Sequence, residues 1–177
     1  MLALAMIVKG TDEEALYLQN CLTSIAGFVD KIFITVTQPN KEVERIAKAF
    51  GADISSFEWC NDFSKARNFN FSQVTKEYDY ILWLDADDVV RGGELIKKTI
   101  EENKKVDVFS LWYLYAFDER KNPVVVHHKS RIIKNDGCVT WAGVLHEDFK
   151  ANRDLNIKHI EGIEVLHMAD DAHVNTN

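Results

Sequence analysis

Residues 80–88 read Tyr-Ile-Leu-Trp-Leu-Asp-Ala-Asp-Asp, a mostly apolar run followed at once by three carboxylates. A short, continuous apolar run of this kind predicts a strand buried on both faces, over Tyr80–Leu84. Ligands of open parallel sheets bind beyond the carboxyl ends of the strands, so Asp85–Asp88 lies where a ligand site is expected. Close carboxylates repel one another unless a cation or several donors compensate them, and their oxygens suit Mg²⁺ or Mn²⁺. The competing interpretation, that Asp87 or Asp88 caps the next helix, leaves two acids unexplained.

The segments around this strand alternate between strand and helix. Continuous apolar runs predict strands, and apolar residues spaced three and four apart predict helices that pack one face on a sheet. The predicted strands before it are Leu2–Val8, Lys31–Val36 and Ala52–Phe57, and the predicted helices contain Leu18–Ile25, Val43–Phe50, residues 62–74 and Leu95–Ile100. This alternation indicates an α/β fold with a Rossmann-like, mostly parallel sheet flanked by helices.

The second half of the chain is richer in strands. Its predicted elements are β-rich runs over Val108–Phe117 and Val124–Lys134, an irregular stretch at Trp141–Gly143, and a strand over Ile163–Leu166 that ends at His167. We therefore expect one domain, in which residues 1–105 bind the ligand and residues 106–168 complete the site. Residues 169–177 are expected to form a tail, with Asp170–Asn177 disordered because it has nothing to bury.

Composition excludes several classes of protein. Of the 177 residues, 46% are hydrophobic and 28% charged, so a disordered or disulfide-scaffold protein is excluded. A net charge of -7, without a cluster of Lys or Arg, argues against a nucleic-acid partner. No stretch approaches the apolar length of a membrane span, so no transmembrane segment is expected. Cys21, Cys60 and Cys138 fit buried thiols in a reducing compartment, which favours a cytoplasmic location.

A second informative segment covers residues 59–68, which read Trp-Cys-Asn-Asp-Phe-Ser-Lys-Ala-Arg-Asn. Asn61 or Asp62 is a suitable cap for a helix that begins there. Helical spacing then puts Arg67 on the same face as Phe71. An arginine in that position either rests its stem on the surface with its head in water, or aims its cation at the site. The acidic strand end favours the second interpretation.

A third informative segment covers residues 141–148, which read Trp-Ala-Gly-Val-Leu-His-Glu-Asp. It is not a zincin helix, because residue 150 is a lysine rather than a second histidine. Trp141 is either a core aromatic or a surface that stacks a flat ligand face. Glu147 is either a solvated loop acid or a general base. His167, at a predicted strand end, is by itself more often a structural histidine than a metal ligand.

These motifs resemble a known family, the GT-A fold glycosyltransferases of glycosyltransferase family 2, and in particular the type of sequence associated with TPR repeats. The resemblance covers most of the chain. The matching motifs are Met6-Ile7-Val8-Lys9, Val29-Asp30-Lys31-Ile32, Gly51-Ala52, Trp59-x-x-Asp62-Phe63-x-x-Ala66-Arg67-Asn68, Asp85-Ala86-Asp87, Arg131-Ile132-Ile133 and Trp141-x-Gly143-x-Leu145-His146-Glu147. A single Asp-x-Asp would be weak support, whereas several motifs in the family's order and spacing are specific.

The resemblance implies a metal-dependent, inverting transfer of a sugar from a nucleoside diphosphate-sugar, with a UDP-sugar as the first expectation. It implies that Glu147 is the general base and that Asp87 and His167 hold Mn²⁺ or Mg²⁺. The residues implied in binding the nucleotide-sugar are Val8, Lys9, Asp62, Arg67, Asp85, Ala86 and Trp141. The acceptor, which is a glycan, a protein or a small molecule, and a homo-oligomeric state both stay open.

One segment departs from the family pattern. Relatives carry an acidic turn after the second strand that contacts the nucleotide base, whereas residues 35–40 read Thr-Val-Thr-Gln-Pro-Asn. Either Gln38 or Asp62 takes over base recognition, or the donor preference is altered. A catalytically weak or inactive nucleotide-sugar-binding module of the same fold therefore stays in contention. A nucleotidyltransferase is the rival enzyme, although it normally has a glycine-rich phosphate loop where residues 8–11 supply only Gly10.

Overall fold

A parallel four-stranded layer forms the first half of a computed structural model that describes residues 1–145 and 147–168. Its elements are β1 (Leu2–Val8), α1 (Asp12–Ile25), a 3-10 turn (Ala26–Phe28), β2 (Lys31–Val36), α2 (Lys41–Ala49), β3 (Asp53–Ser56), α3 (Phe63–Gln73) and β4 (Tyr80–Trp83). The strands lie side by side in the order β3-β2-β1-β4. The predicted alternation is confirmed. His146 and the predicted tail Asp170–Asn177 lie outside the described residues.

Side-chain caps fix where three of these helices begin. The Thr11 hydroxyl accepts a hydrogen bond from the first turn of α1, and the Asn40 amide oxygen accepts two from α2. Asp62 caps α3 by accepting from the Lys65 N–H, so it is Asp62 rather than Asn61 that starts this helix. Each cap satisfies backbone donors that the helix itself leaves without a partner.

The second half extends the same sheet with antiparallel and parallel strands. Its elements are β5 (Asp88–Arg91), a 3-10 turn (Gly93–Leu95), α4 (Ile96–Glu102), β6 (Val108–Phe117), β7 (Pro123–Lys134), β8 (Val139–Ala142), β9 (Asp148–Ala151) and β10 (Ile157–His167). The described sheet reads β3-β2-β1-β4-β7-β6-β10-β5, and β8 and β9 form a separate two-stranded hairpin. The stretch around Trp141–Gly143 is therefore partly a hairpin rather than irregular.

The strand β5 rules out the competing interpretation of the acidic segment. Neither Asp87 nor Asp88 caps a helix, because Asp88 begins a strand that pairs antiparallel with β10, with Asp88 opposite His167. The next helical turn begins only at Gly93. Pairing of β5 with β10 brings the acidic segment and the end of the last strand to the same place.

Apolar side chains pack on both faces of the sheet. The larger cluster lies between the sheet and α1, α2 and α4, and it contains Leu4, Met6, Leu22, Ile34, Leu82 and Ile163 among others. A smaller cluster on the opposite face contains Trp83, Val108, Ile133 and Trp141. Cys21 and Cys138 are buried as predicted, whereas Cys60 is exposed. In the part of the chain that the structure describes, no helix is long and apolar enough to cross a membrane.

Candidate nucleotide-sugar site

A cavity of about 520 Å³ opens at the carboxyl ends of β1, β2 and β4. Six of the predicted site residues line it: Val8, Lys9, Asp85, Ala86, Asp87 and His167. The other lining residues are Ile7, Thr11, Glu13, Glu14, Tyr17, Thr37, Gln38, Trp59 and Phe63. The cavity therefore lies where ligands of parallel sheets bind, and the size is within the ordinary range for small-molecule sites.

The loops that follow β1 and β2 touch each other at the floor of this cavity. The Thr37 N–H donates to the Val8 carbonyl at 2.9 Å, which continues the pairing of the two strands past their ends. Gly10 has φ +81°, and a Cβ built on it would lie 1.9 Å from the Gln38 carbonyl oxygen. A glycine is needed here both for its conformation and for its lack of a side chain.

The three carboxylates of the acidic segment differ in the basic side chains beside them, although Asp85 and Asp88 share Arg131. Asp88 is fully buried, with one oxygen 2.9 Å from Arg131 Nη2. Asp85 lies 3.0 Å from Arg67 and 3.6 Å from Arg131. Asp87 lies 3.6 Å from His167 Nδ1. The repulsion predicted from the sequence is thus offset by two arginines that come from distant parts of the chain, and Asp87 lies beside the ring of a histidine.

The number of nearby cations decides how each carboxylate titrates. Burial alone would raise the pKa of Asp85, but Arg67, Arg131 and Lys129 together hold it well below its usual range. Burial raises the pKa of Asp88, with Arg131 acting in the opposite direction. Asp85 is therefore the carboxylate that stays ionised most firmly at the rim of the cavity.

Asp87 and His167 fit the requirements of a divalent-cation site. Donor atoms of Asp87, Asp88 and His167 all lie within 4.8 Å of one another. His167 Nδ1 is buried without a hydrogen-bond partner among the described residues, and its ring is held by stacking on Tyr115 at 5.0 Å. A buried ring nitrogen without a hydrogen bond is a ready ligand for a metal ion. Asp88 is the third residue of this group, and the sequence analysis did not assign it as a metal ligand.

Arg67 directs its guanidinium at the acidic segment and not into water, which is the interpretation that the acidic strand end favours. It does not line the cavity. It is buried, and its carbon Cζ lies 4.3 Å from the centre of the Trp83 ring. Its Nη2 donates to Asp85 at 3.0 Å and to Glu147 at 2.7 Å, and its Nε also donates to Glu147 at 3.2 Å. Glu147 is 14% exposed and ion-paired, so the interpretation as a solvated loop acid is wrong.

The positions of Trp141 and Asp62 favour structural roles over contact with a ligand. Trp141 is buried, and its ring meets Trp83 edge to face at 5.0 Å, so the core interpretation describes it better than ligand stacking does. Asn68 fixes its backbone with two hydrogen bonds of 2.9 Å, which tie β8 to α3. Asp62 is occupied as the cap of α3 and also accepts from the Ser64 hydroxyl at 2.7 Å. Neither residue lines the cavity.

Two residues with functional positions were not predicted from the sequence. Glu14 lines the cavity and accepts a hydrogen bond from the Lys9 N–H, which shapes the turn after β1. Arg131 was part of a matching motif but had no role assigned to it. Its one signal was its position directly before Ile132 and Ile133 in a predicted strand, since an arginine buried there needs a carboxylate partner.

Comparison with known proteins agrees with this geometry. The family model described as "Glycosyl transferase family 2" matches residues 10–166. A TPR repeat-containing protein of Synechococcus elongatus is 37% identical over 86 residues, which are 49% of this chain and 20% of that protein. This chain therefore spans about a fifth of the length of that curated relative.

Solved structures share the fold at low sequence identity. The 4-diphosphocytidyl-2C-methyl-D-erythritol synthase of Anaerococcus prevotii has a TM-score of 0.62 at 12% identity, over 92% of this chain and 89% of that one. TarS of Staphylococcus aureus has 0.56 at 11% identity, over 90% and 36%. Glucosyl-3-phosphoglycerate synthase of Mycobacterium tuberculosis, in complex with Mn²⁺, UDP and glucosyl-3-phosphoglycerate, has 0.50 at 12% identity, over 64% and 44%.

These likenesses support the predicted GT-A fold, and the family model covers the acidic segment and most of the residues that line the cavity, although not Ile7, Val8, Lys9 or His167. Because that model matches most of the chain, the chain belongs to glycosyltransferase family 2.

Proposed function

We propose that this chain binds a nucleoside diphosphate-sugar in the cavity at the carboxyl ends of β1, β2 and β4 and transfers the sugar to an acceptor. The observation that carries the proposal is the arrangement of Asp85, Asp87 and His167 on one wall of a 520 Å³ cavity in a family 2 chain. The Mn²⁺ and UDP complex of the mycobacterial synthase supports a UDP-sugar as the donor. Residues 1–105 form most of the donor site. Residues 106–168 add His167 to this site and supply Glu147 as the proposed base.

Asp87 and His167 are the residues that would hold Mn²⁺ or Mg²⁺. A divalent cation supplies positive charge that offsets the negative charge growing on the diphosphate as it leaves. Asp85 is the carboxylate that the arginines hold ionised. We assign it a contact with the donor, either as acceptor of a hydrogen bond from a ribose hydroxyl or facing a phosphate through the bound cation. Lys9, on the opposite loop, offers a further positive charge to the diphosphate.

Glu147 is the proposed general base. Both hydrogen bonds from Arg67 end on Oε1 of Glu147, so we assign Oε2 as the atom that takes the acceptor proton. The acceptor oxygen then attacks the anomeric carbon while the bond to the diphosphate breaks on the opposite side. This single displacement inverts the configuration of the sugar. General-base assistance of this kind is worth roughly 10²–10⁴-fold in rate.

Gln38 is the proposed contact of the nucleotide base. It lines the cavity, whereas Asp62 is occupied at the start of α3. A glutamine side chain both donates and accepts a hydrogen bond, which suits the edge of a pyrimidine. The reducing-compartment argument from the cysteines makes the cytoplasm the proposed location.

A binding module without turnover is the second candidate. The observation in its favour is that Glu147 is ion-paired with Arg67 at 2.7 Å and does not line the cavity. In such a protein the donor would bind beside Asp85 and Asp87 while no base would act on an acceptor.

One experiment separates these functions. The purified chain is incubated with a panel of nucleotide-sugars, with Mn²⁺ or with EDTA, and the release of nucleoside diphosphate is measured beside calorimetric titration with UDP. A transferase releases diphosphate faster with Mn²⁺ and acceptor. A binding module binds UDP but releases nothing from any donor. A parallel incubation contains a nucleoside triphosphate and a sugar phosphate instead of a nucleotide-sugar. Release of pyrophosphate in it would identify a nucleotidyltransferase.

A further inference from the structure

We propose that Arg131 is a positioning residue. It holds Asp85 and Asp88 in place, so that Asp87 is the carboxylate that binds the divalent cation together with His167. This inference rests on the proposed function, because it concerns how the donor site is built. Arg131 lies on β7, in the antiparallel half of the sheet, whereas the carboxylates follow β4. It does not line the cavity, so its effect on the donor is exerted through Asp85.

The guanidinium of Arg131 bridges two of the three carboxylates. Arg131 is fully buried, with Nη2 at 2.9 Å from Asp88 and Nη1 at 3.6 Å from Asp85. Nη1 also points to the Trp83 carbonyl at 3.4 Å, at the last residue of β4. The arginine therefore touches the acidic segment at its start, at its end and at the strand that precedes it.

Two aromatic rings fix the plane of this guanidinium. Its carbon Cζ lies 4.1 Å from the centre of the Trp83 ring and 4.6 Å from that of Tyr113. The Trp83 ring is itself held by a hydrogen bond of 2.9 Å from its Nε1 to the Ser130 carbonyl. A planar cation between rings of this kind has little freedom to follow a displaced carboxylate.

The charge balance of the segment makes Asp87 different from its neighbours. Arg67 and Arg131 together offset the charges of Asp85 and Asp88, whereas His167 is the one basic side chain within ion-pair distance of Asp87 among the described residues. Loss of Arg131 would leave Asp88 buried without a cation and would free Asp85 from one of its two anchors. Both carboxylates would then compete with Asp87 for the same cation or would push it out of position.

Stability alone does not account for this arrangement. Asp88 Oδ1 and Arg131 Nε are buried and have no hydrogen-bond partner in the part of the chain that the structure describes. A buried ion pair with unsatisfied atoms is often no more stabilising than an apolar pair of the same size. A role in shaping the neighbouring site explains why a charged pair occupies this position.

A charge-balanced double variant separates positioning from a purely structural role. We expect Arg131→Gln alone to lower the melting temperature by roughly 10 °C, because it leaves a buried charge unpaired. Adding Asp88→Asn removes that charge, so Arg131→Gln/Asp88→Asn should melt within a few degrees of the single variant Asp88→Asn. Arg91→Gln, which removes an exposed arginine on β5, is the control for the loss of one positive charge.

The deciding measurement is calorimetric titration of each variant with Mn²⁺ alone and with UDP in the presence of Mn²⁺. We expect affinity for UDP to be about tenfold weaker in the double variant than in Asp88→Asn, because Asp85 has lost an anchor that Asp88→Asn keeps. Equal affinities in these two variants would overturn the inference and make Arg131 only the structural partner of Asp88. If the unmutated chain binds neither Mn²⁺ nor UDP, the proposed function itself is wrong and the inference falls with it.

Discussion

Arg67 and Glu147, eighty residues apart in the chain, are joined by two hydrogen bonds that end on the same carboxylate oxygen. The same Nη2 atom also donates to Asp85. The proposed base and the carboxylate at the rim of the donor cavity are thus held by one buried cation. This bridge makes the position of the base depend on the position of the donor site.

Replacing Arg67 by lysine tests this bridge. Lysine keeps the charge but cannot contact Asp85 and Glu147 at once through a planar fork. We expect the rate of sugar transfer to fall by at least about tenfold, equivalent to ~1.4 kcal/mol of activation free energy, while UDP affinity changes less because Arg67 does not line the cavity. Initial rates and calorimetric titrations are compared with those of the unmutated chain. A loss confined to UDP affinity would place Arg67 on the donor instead.

Replacing Glu147 by glutamine tests the proposed base. Glutamine keeps the size and can still bond to Arg67, but it cannot take the acceptor proton, so transfer should fall by roughly 10²–10⁴-fold while UDP affinity persists. Asp148→Asn is the matched control, because Asp148 is exposed and its side chain bonds to the adjacent Phe149 N–H. Normal transfer by Glu147→Gln, or a loss seen only in Asp148→Asn, would remove Glu147 from this role.

Replacing Asp87 by asparagine tests the cation site. Asp87 is the carboxylate beside His167 Nδ1, and an amide oxygen is a weaker ligand for a hard divalent cation. We expect Asp87→Asn to lose most of the Mn²⁺-stimulated diphosphate release and to need a higher Mn²⁺ concentration for half-maximal rate. Its melting temperature should stay close to that of the unmutated chain, because Asp87 lies at the rim of the sheet. Full stimulation by Mn²⁺ in this variant would contradict the assignment.

Replacing Gly10 by alanine tests the contact between the loops after β1 and β2. The positive φ and the 1.9 Å approach to the Gln38 carbonyl leave no room for a methyl group, so we expect a loss of about 1–3 kcal/mol in the free energy of unfolding and weaker UDP binding. Gly27→Ala is the control, since nothing lies within 4 Å of its Cβ position and its φ is not positive. Similar melting temperatures for the two variants would show that this contact is not required.

An ion pair far from the cavity predicts how stability changes in acid. Both oxygens of Asp107 accept from Arg153, at 2.8 and 3.0 Å, and this bonding lowers the Asp107 pKa to about 2 from 3.8. The pKa of Asp107 is thus lower in the folded chain than in the unfolded chain. The ion pair with Arg153 therefore stabilises the fold fully above pH 3.8, and this stabilisation is lost as the pH falls through 3.8 towards 2.

The variant Asp107→Asn measures this contribution. We expect it to lower the free energy of unfolding by about 1–2 kcal/mol at pH 7, allowing for solvent around the partly exposed Arg153, and to lose less further stability than the unmutated chain between pH 4 and pH 2. Urea unfolding at several pH values provides the measurement. Glu119→Gln, at an exposed carboxylate, is the control. Parallel pH profiles for Asp107→Asn and the unmutated chain would refute the assignment.

The strands of the parallel layer follow closely from local sequence. The predicted bounds of Leu2–Val8 and Lys31–Val36 coincide with the structure, and the predicted strand Tyr80–Leu84 ends one residue earlier, at Trp83. Short apolar runs rich in β-branched residues and bounded by turn residues are typical of central strands that are buried on both faces, so their type and position depend little on the rest of the fold.

The strand β5 could not be predicted in this way. Its four residues, Asp88–Arg91, begin with a carboxylate and pair with β10 at the far end of the chain. Only Val89 and Val90 in it favour a strand, and both lie between charged residues. The pairing partner rather than local propensity therefore decides its conformation.

The sequence by itself determined that three carboxylates follow a central strand and therefore lie at the ligand end of a parallel sheet. Only the tertiary structure decided which side chain each carboxylate meets: Arg67 and Arg131 for Asp85, Arg131 for Asp88, and the His167 ring for Asp87. The physical reason is that an ion pair depends on distance through space and on burial, and spacing along the chain specifies neither for residues that come from different strands and helices.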